Sequence, residues 1–167
     1  MQQKGINRIV VAVWDFEKGK EYFEKLLGAE FAPENTDGEA ASFGVRVAMA
    51  WEAGIELVSP LPNTQSPIRE EMEKNGEGIK GIVFAVDDAD TAMKNGETLG
   101  LNSYYELDYT QKEINEKCQG RFTTYKEHFI SAGLKKYIIL NVSAAFHSKY
   151  MKEAQEKLTI EIEKINF

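Results

Sequence analysis

"INRIVVAVWDFEKGKEYFEKLLG" (residues 6–28) and "IKGIVFAVDDADTAMKNGETLG" (residues 79–100) are two copies of one pattern, and their likeness decides how the chain is organised. Ile6, Ile9, Val10, Ala12, Val13 and Asp15 return at a constant offset as Ile79, Ile82, Val83, Ala85, Val86 and Asp88, and each copy closes on Leu-Gly. Each begins with a short β-branched run, which reads as a strand, and then meets an aspartate suited to cap a helix. In the first copy Phe16, Tyr22, Phe23, Leu26 and Leu27 make an apolar stripe, with Glu17, Lys18, Lys20, Glu21, Glu24 and Lys25 on the water side. Gly28 is placed to stop that helix in a left-handed conformation. The second helix is weaker because Gly96 lies inside it.

Working outward, the segments after Gly28 read as short strands separated by turn residues: "AEFAP", "EAASFG", "VRVAMAW" and "GIELVSP". After Gly100 the same role falls to "NSYYELD", "RFTTYKEHFI" and "KYIILNV". "PLPNTQSPIREEMEKNGEG" holds three of the four prolines and reads as a linker with a short helix from about Pro67 to Lys74. The expected fold class is α+β. Tandem βαβββ modules form a curved mixed sheet around a cup, with an added C-terminal helix. The expected layout is a single domain over 1–167: module one at 5–60, linker at 61–78, module two at 79–142 and the helix at 143–167.

A chain of 167 residues that is 43% hydrophobic can bury one sizeable core. Its net charge of -7 and pI near 5.0 argue against nucleic acid and anionic membrane surfaces as partners. The single Cys118 cannot form an internal disulfide, and the N-terminal apolar run lacks a cleavage site, so a soluble cytoplasmic protein is expected.

The paired modules, each opened by "I-x-x-I-V-x-A-V-x-D" and the first ended by "GIELVSP", resemble the vicinal oxygen chelate superfamily over about residues 5–142. That superfamily includes glyoxalase I, methylmalonyl-CoA epimerase, extradiol dioxygenases and bleomycin-resistance proteins. In its metal-dependent members each module supplies two ligands to a divalent ion that acts as a Lewis acid on substrate oxygens. Carried onto this sequence, the four positions fall on Arg8, Glu56, Gly81 and near Ile139, so only Glu56 keeps a metal-ligand side chain. Glycine and isoleucine offer no donor, and Arg8 is a permanent cation. The resemblance therefore implies a cup without a metal cofactor, with Glu56 the metal ligand if a divalent ion binds at all.

Two readings of Arg8 with Glu56 stay open: an internal ion pair, or a polar grip on a ligand. Trp51 and Tyr105 are expected to line a site for a flat ligand, although most strand aromatics are core. His128, on the alternating strand "TYKEHFI", either faces the cup or is a hydrogen-bonded structural histidine. The expected ligand-binding set is Arg8, Glu56, His128, Trp51 and Tyr105. The superfamily's habits imply a homodimer.

"NVSAAFHSKYM", within the stretch at about 132–167, resembles the catalytic-histidine region of malonyl-CoA:ACP acyltransferases. On that resemblance His147 would be the base that activates a serine. No G-x-S-x-G elbow occurs in the chain, so the same residues read as a terminal helix capped by Ser143 or Ser148. Three functions are carried forward: a metal-free protein that binds a small organic ligand, a glyoxalase-type lyase or isomerase with non-standard ligands such as Glu56 with His128, Glu106 or Glu127, and an accessory or remnant domain of a polyketide pathway. Whether the protein is an enzyme stays open.

Overall fold

The computed structural model describes residues 3–131. In chain order these form β1 (Gln3–Ala12), α1 (Phe16–Leu27), α2 (Gly38–Ser42), β2 (Val45–Ala50), β3 (Ile55–Pro60), α3 (Pro67–Asn75), β4 (Gly78–Val86), α4 (Ala89–Glu97), β5 (Ser103–Tyr109), α5 (Gln111–Lys117) and β6 (Tyr125–Ile130). The strand "KYIILNV", the expected helix at 143–167 and the motif around His147 lie outside the described residues. No described helix is long and apolar enough to cross a membrane.

The repeat is visible in matching local chemistry. The Asp15 carboxylate accepts from the Lys18 backbone N–H at 3.1 Å and opens α1; the Asp88 carboxylate accepts from the Thr91 N–H at 2.9 Å and opens α4. Gly28 ends α1 at φ 65°, in the left-handed region its lack of a Cβ permits. Gly19 has a different task, since a Cβ there would sit 2.9 Å from Val13 Cγ2. Its absence lets α1 lie close on the sheet.

The main sheet has the order β2-β3-β1-β4, with β1 parallel to β3 and antiparallel to both its repeat partner β4 and, across β3, to β2. In the β1–β4 pairing Ile9 lies opposite Ile82, which is its own equivalent in the second copy. Arg8 lies opposite Val83, and Val10 opposite Gly81. That reciprocal register is what a local two-fold axis between Ile9 and Ile82 produces. β5 and β6 form a separate antiparallel ribbon. The fold class is α+β with a curved mixed sheet, as expected.

Alternation assigns the faces of the main sheet. Val11, Ile55 and Leu57 pack with Phe16 and Phe23 under α1, while Val10, Ala12 and Val58 pack with Met72 and Ile68 of α3 on the other side. Leu57 is fully buried, and such a side chain contributes about 1.5–3 kcal/mol by leaving water.

Three local expectations are corrected. "EAASFG" is the helix α2 rather than a strand, because Glu39, Ala40 and Ala41 are good helix formers with only one buried position among them. "AEFAP" forms no strand; the Ala32 N–H donates to the Met49 carbonyl of β2 at 2.8 Å, and an isolated bridge from Asn35 to Val47 follows just beyond it. The strand read across "RFTTYKEHFI" covers only Tyr125–Ile130, and the segment before it contains α5. α5 opens with a capping box, in which Thr110 and Glu113 satisfy each other's backbone N–H groups.

Candidate functional site

Arg8 is the centre of the seam between the repeats. It extends from β1 on the same face as Val10 and Ala12, is only 4% exposed, and uses all three guanidinium nitrogens. Nε meets Glu56 Oε2 of β3 at 2.6 Å, Nη2 meets Glu127 Oε1 of β6 at 2.7 Å, and Nη1 donates to Asn7 Oδ1 at 3.0 Å. The two carboxylate side chains are 15% and 13% exposed. One carboxylate comes from each module, so the triad clasps the main sheet to the β5–β6 ribbon.

Two carboxylates around one guanidinium leave a net charge of -1 in a nearly dry place. Burial pushes the Glu56 carboxyl above the ordinary carboxylate range; the attraction and hydrogen bond of Arg8 offset only part of that, and Glu127 adds to it. Burial also works against the charge on Arg8, but Glu56, Tyr125 and Glu127 hold it above its ordinary value. Burial raises the Tyr125 hydroxyl as well, opposed by Arg8 and reinforced by Glu127, with which it is hydrogen-bonded.

Aromatic side chains flank the triad in two groups. Trp51 lies edge-on to Phe122 (5.4 Å) and 5.8 Å from the Arg8 guanidinium, and Tyr109 stacks on Tyr125 at 4.9 Å. Phe43 meets Tyr105 edge-on at 4.6 Å, with Phe129 beside both. The indole Nε1 of Trp51 is buried and has no acceptor among the described residues. A buried donor without a partner is costly, and it marks a place that an acceptor atom would fill.

The ribbon separates the predicted residues by parity. Tyr105, Leu107 and Tyr109 share a face with Phe129, Glu127 and Tyr125, the face that meets Arg8. Glu106 and Asp108 share the opposite face with His128 and Lys126. His128 therefore lies away from Arg8: its Nε2 is 2.8 Å from Asp90 Oδ1 of α4, and its Nδ1 is 3.5 Å from Glu106 Oε2. Lys126 sits among the same groups, 2.9 Å from Asp90 and 3.0 Å from Glu106. Hydrogen bonds from Lys126 and then His128 hold the Asp90 carboxyl below its ordinary value. A cleft of about 360 Å³, lined by Asp88, Asp90, Asp108, Gln111, Thr124 and Lys126 among others, opens beside them.

The structure thus brings Arg8, Glu56 and Trp51 together, puts Tyr105 in the neighbouring aromatic group, and turns His128 outward. It adds Glu127, which the sequence offers only as one alternative metal ligand beside His128 and Glu106 and not as the partner of Arg8. The signal was present, because Glu127 shares parity with the large side chains Tyr125 and Phe129.

Residues 7–114, well over half of the chain, match the profile of the Glyoxalase/Bleomycin resistance protein/Dioxygenase superfamily. The chain belongs to this superfamily. Solved structures of the same fold include methylmalonyl-CoA epimerase from Mycobacterium tuberculosis, at 24% identity and a TM-score of 0.53, covering 64% of this chain and 71% of that one. A single-residue variant of Streptomyces coelicolor methylmalonyl-CoA epimerase in complex with 2-nitronate-propionyl-CoA matches at 21% identity and a TM-score of 0.53, covering 75% of this chain and 93% of that one. A hypothetical protein from Bacillus halodurans C-125 gives 21% identity and a TM-score of 0.54, with coverages of 75% and 93%. At such identities the likeness concerns the fold. No protein of curated function matches the chain. The acyltransferase resemblance around His147 gains no support from these matches.

The residues of the seam do not fit the divalent ion that the superfamily's metal-dependent members hold. Glu56 and Glu127 already share a permanent cation, and Gly81, the repeat equivalent of Arg8, brings no donor atom.

Proposed function

We propose that this superfamily member binds a small organic molecule at the seam of its two modules, without a divalent ion there. The observation that carries the reading is the Arg8 guanidinium, buried and bound to Glu56 and Glu127. A cation with every nitrogen engaged is a fixture of the wall, so it neither vacates the place for a metal nor turns to grip a ligand. What the wall leaves to offer is the unpartnered Trp51 N–H, aromatic surface and a net negative charge. Those features suit a flat, neutral or cationic molecule carrying an acceptor atom.

A second reading, proton transfer on a carbon acid, is favoured by the raised Glu56 carboxyl, which suits a group poised to exchange a proton. The solved epimerases of this fold make that chemistry worth testing.

The chain has two tryptophans, so Trp14→Phe leaves Trp51 as the reporter. Chelator-treated Trp14→Phe protein is titrated with bleomycin and with a panel of planar aromatic cations, following Trp51 emission and thermal stabilisation. Saturable one-to-one binding without added metal is the expected result. Binding that appears only with nickel, manganese or zinc, and disappears in Glu56→Ala, would overturn the metal-free reading. Deuterium uptake from heavy water into methylmalonyl-CoA would favour the second reading.

A further inference from the structure

The outer face of the β5–β6 ribbon carries chemistry that the seam does not use. Asp90 from α4, Glu106 from β5 and His128 from β6 each present a donor atom, and these atoms all lie within 4.8 Å of one another. Ligands about 2.1 Å from a shared tetrahedral ion stand roughly 3.4 Å apart, so small side-chain adjustments would close the set. The 3.5 Å gap between His128 Nδ1 and Glu106 Oε2 already has that size. His128 Nδ1 is buried and makes no hydrogen bond among the described residues; Nε2 lies 2.8 Å from Asp90 Oδ1, a contact the Asp90 carboxylate gives up on joining the ligand set. One imidazole with carboxylates is a donor set for zinc and its first-row neighbours.

Charge points the same way. Asp90, Glu106 and Asp108 put three carboxylates around one ammonium, since Lys126 Nζ lies 2.9, 3.0 and 3.8 Å from them. The three carboxylates outnumber the one ammonium by two charges. The cleft beside Asp90, Asp108 and Lys126 would admit the ion and leave it open coordination positions.

We propose that Asp90, Glu106 and His128 form a site for a divalent transition-metal ion on the outer face of the ribbon, and that Lys126 is the internal cation the metal displaces. The site is separate from the Arg8 seam and does not rest on the reading of that seam. Lys126 makes the site weak in competition: its ammonium must leave the two carboxylates before the ion can take them.

The test uses chelator-stripped full-length protein titrated with cobalt(II), read by visible absorption, and with zinc(II), read by calorimetry. Lys126→Met is expected to bind one equivalent at least about tenfold more tightly than the unaltered protein, because one positive charge is removed from beside a doubly charged ion. In the Lys126→Met background, His128→Ala or Glu106→Gln abolishes that equivalent and the tetrahedral cobalt absorption, while circular dichroism stays unchanged. His147→Ala, which removes the other histidine, leaves both intact. Binding by Lys126→Met no tighter than by the unaltered protein, or surviving in Lys126→Met with His128→Ala, overturns the proposal.

Discussion

Replacing Arg8 by methionine is the sharpest probe of the seam. Methionine keeps much of the arginine stem's volume, so the change isolates the charge and its hydrogen bonds. What stays behind is Glu56 and Glu127, 15% and 13% exposed, facing one another without a countercharge. Removing one partner of a buried pair costs about 3–5 kcal/mol, because the survivor keeps its desolvation penalty and loses its attraction. Residual water contact and proton uptake place Arg8→Met near the lower end, about 3 kcal/mol at neutral pH. For a chain of this length that is a fall of about 10 °C in Tm.

The pH dependence carries the more specific signature. Glu56 is already raised in the folded protein, so the folded state holds the proton more tightly than the unfolded one. A raised carboxyl costs stability as pH climbs from its unfolded value through its folded one. Without Arg8 the folded value climbs further, so the window widens upward. The deficit of Arg8→Met relative to the unaltered protein should therefore be smaller at pH 5 than at pH 8. Urea unfolding followed by circular dichroism at both pH values measures it. The companion Arg8→Met with Glu56→Leu should recover part of the loss, since it removes one stranded carboxylate. A deficit under about 1 kcal/mol, equal at the two pH values, would refute the reasoning and mean that the triad is well solvated.

Ser66, 3% exposed, caps α3 by accepting from the Arg69 N–H at 3.1 Å; Ser66→Ala should cost about 1 kcal/mol with an unchanged urea m-value. Burial pushes the Cys118 thiol up to about 11, despite the opposing pull of Arg8. Ellman's reagent at pH 8 should therefore react with native protein only as fast as it opens, and at once after denaturation; rapid modification of the native state would place Cys118 at the surface.

The parts of the fold legible in sequence are those decided by local chemistry repeated twice. β1 with α1 and β4 with α4 were readable because strand period and capping aspartate agree in both copies, although Gly28 caps α1 directly while α4 ends on Thr98, two residues before Gly100. "AEFAP" and "EAASFG" misled because Phe31 and Phe43 look like strand residues when their neighbours in space are unknown. Phe31 packs against the α1 core and Phe43 against Tyr105. α5 was announced by Thr110 and Glu113 at capping-box spacing, and went unread between two stronger strand patterns. At the site, Arg8 and Glu56 could be named because the superfamily's ligand positions, carried onto this sequence, fall on them. Glu127 could be offered only beside His128 and Glu106 as an alternative metal ligand, since which face of β6 turns inward depends on packing against the other sheet.

The two-fold register explains why the asymmetry of the repeat matters. An axis between Ile9 and Ile82 brings Arg8 and its equivalent Gly81 to the same face on opposite sides of the seam. Two arginines there would place two guanidinium groups in one dry space, and two glycines would leave the carboxylates stranded. One arginine and one glycine give a single cation with room to reach both modules; a Cβ on Gly81 would already touch Val10 at 3.4 Å. The triad thus does for cohesion what a shared metal does elsewhere in the superfamily, holding module one to module two through a central positive charge. A cation fixed by the covalent chain cannot open a coordination position to a substrate.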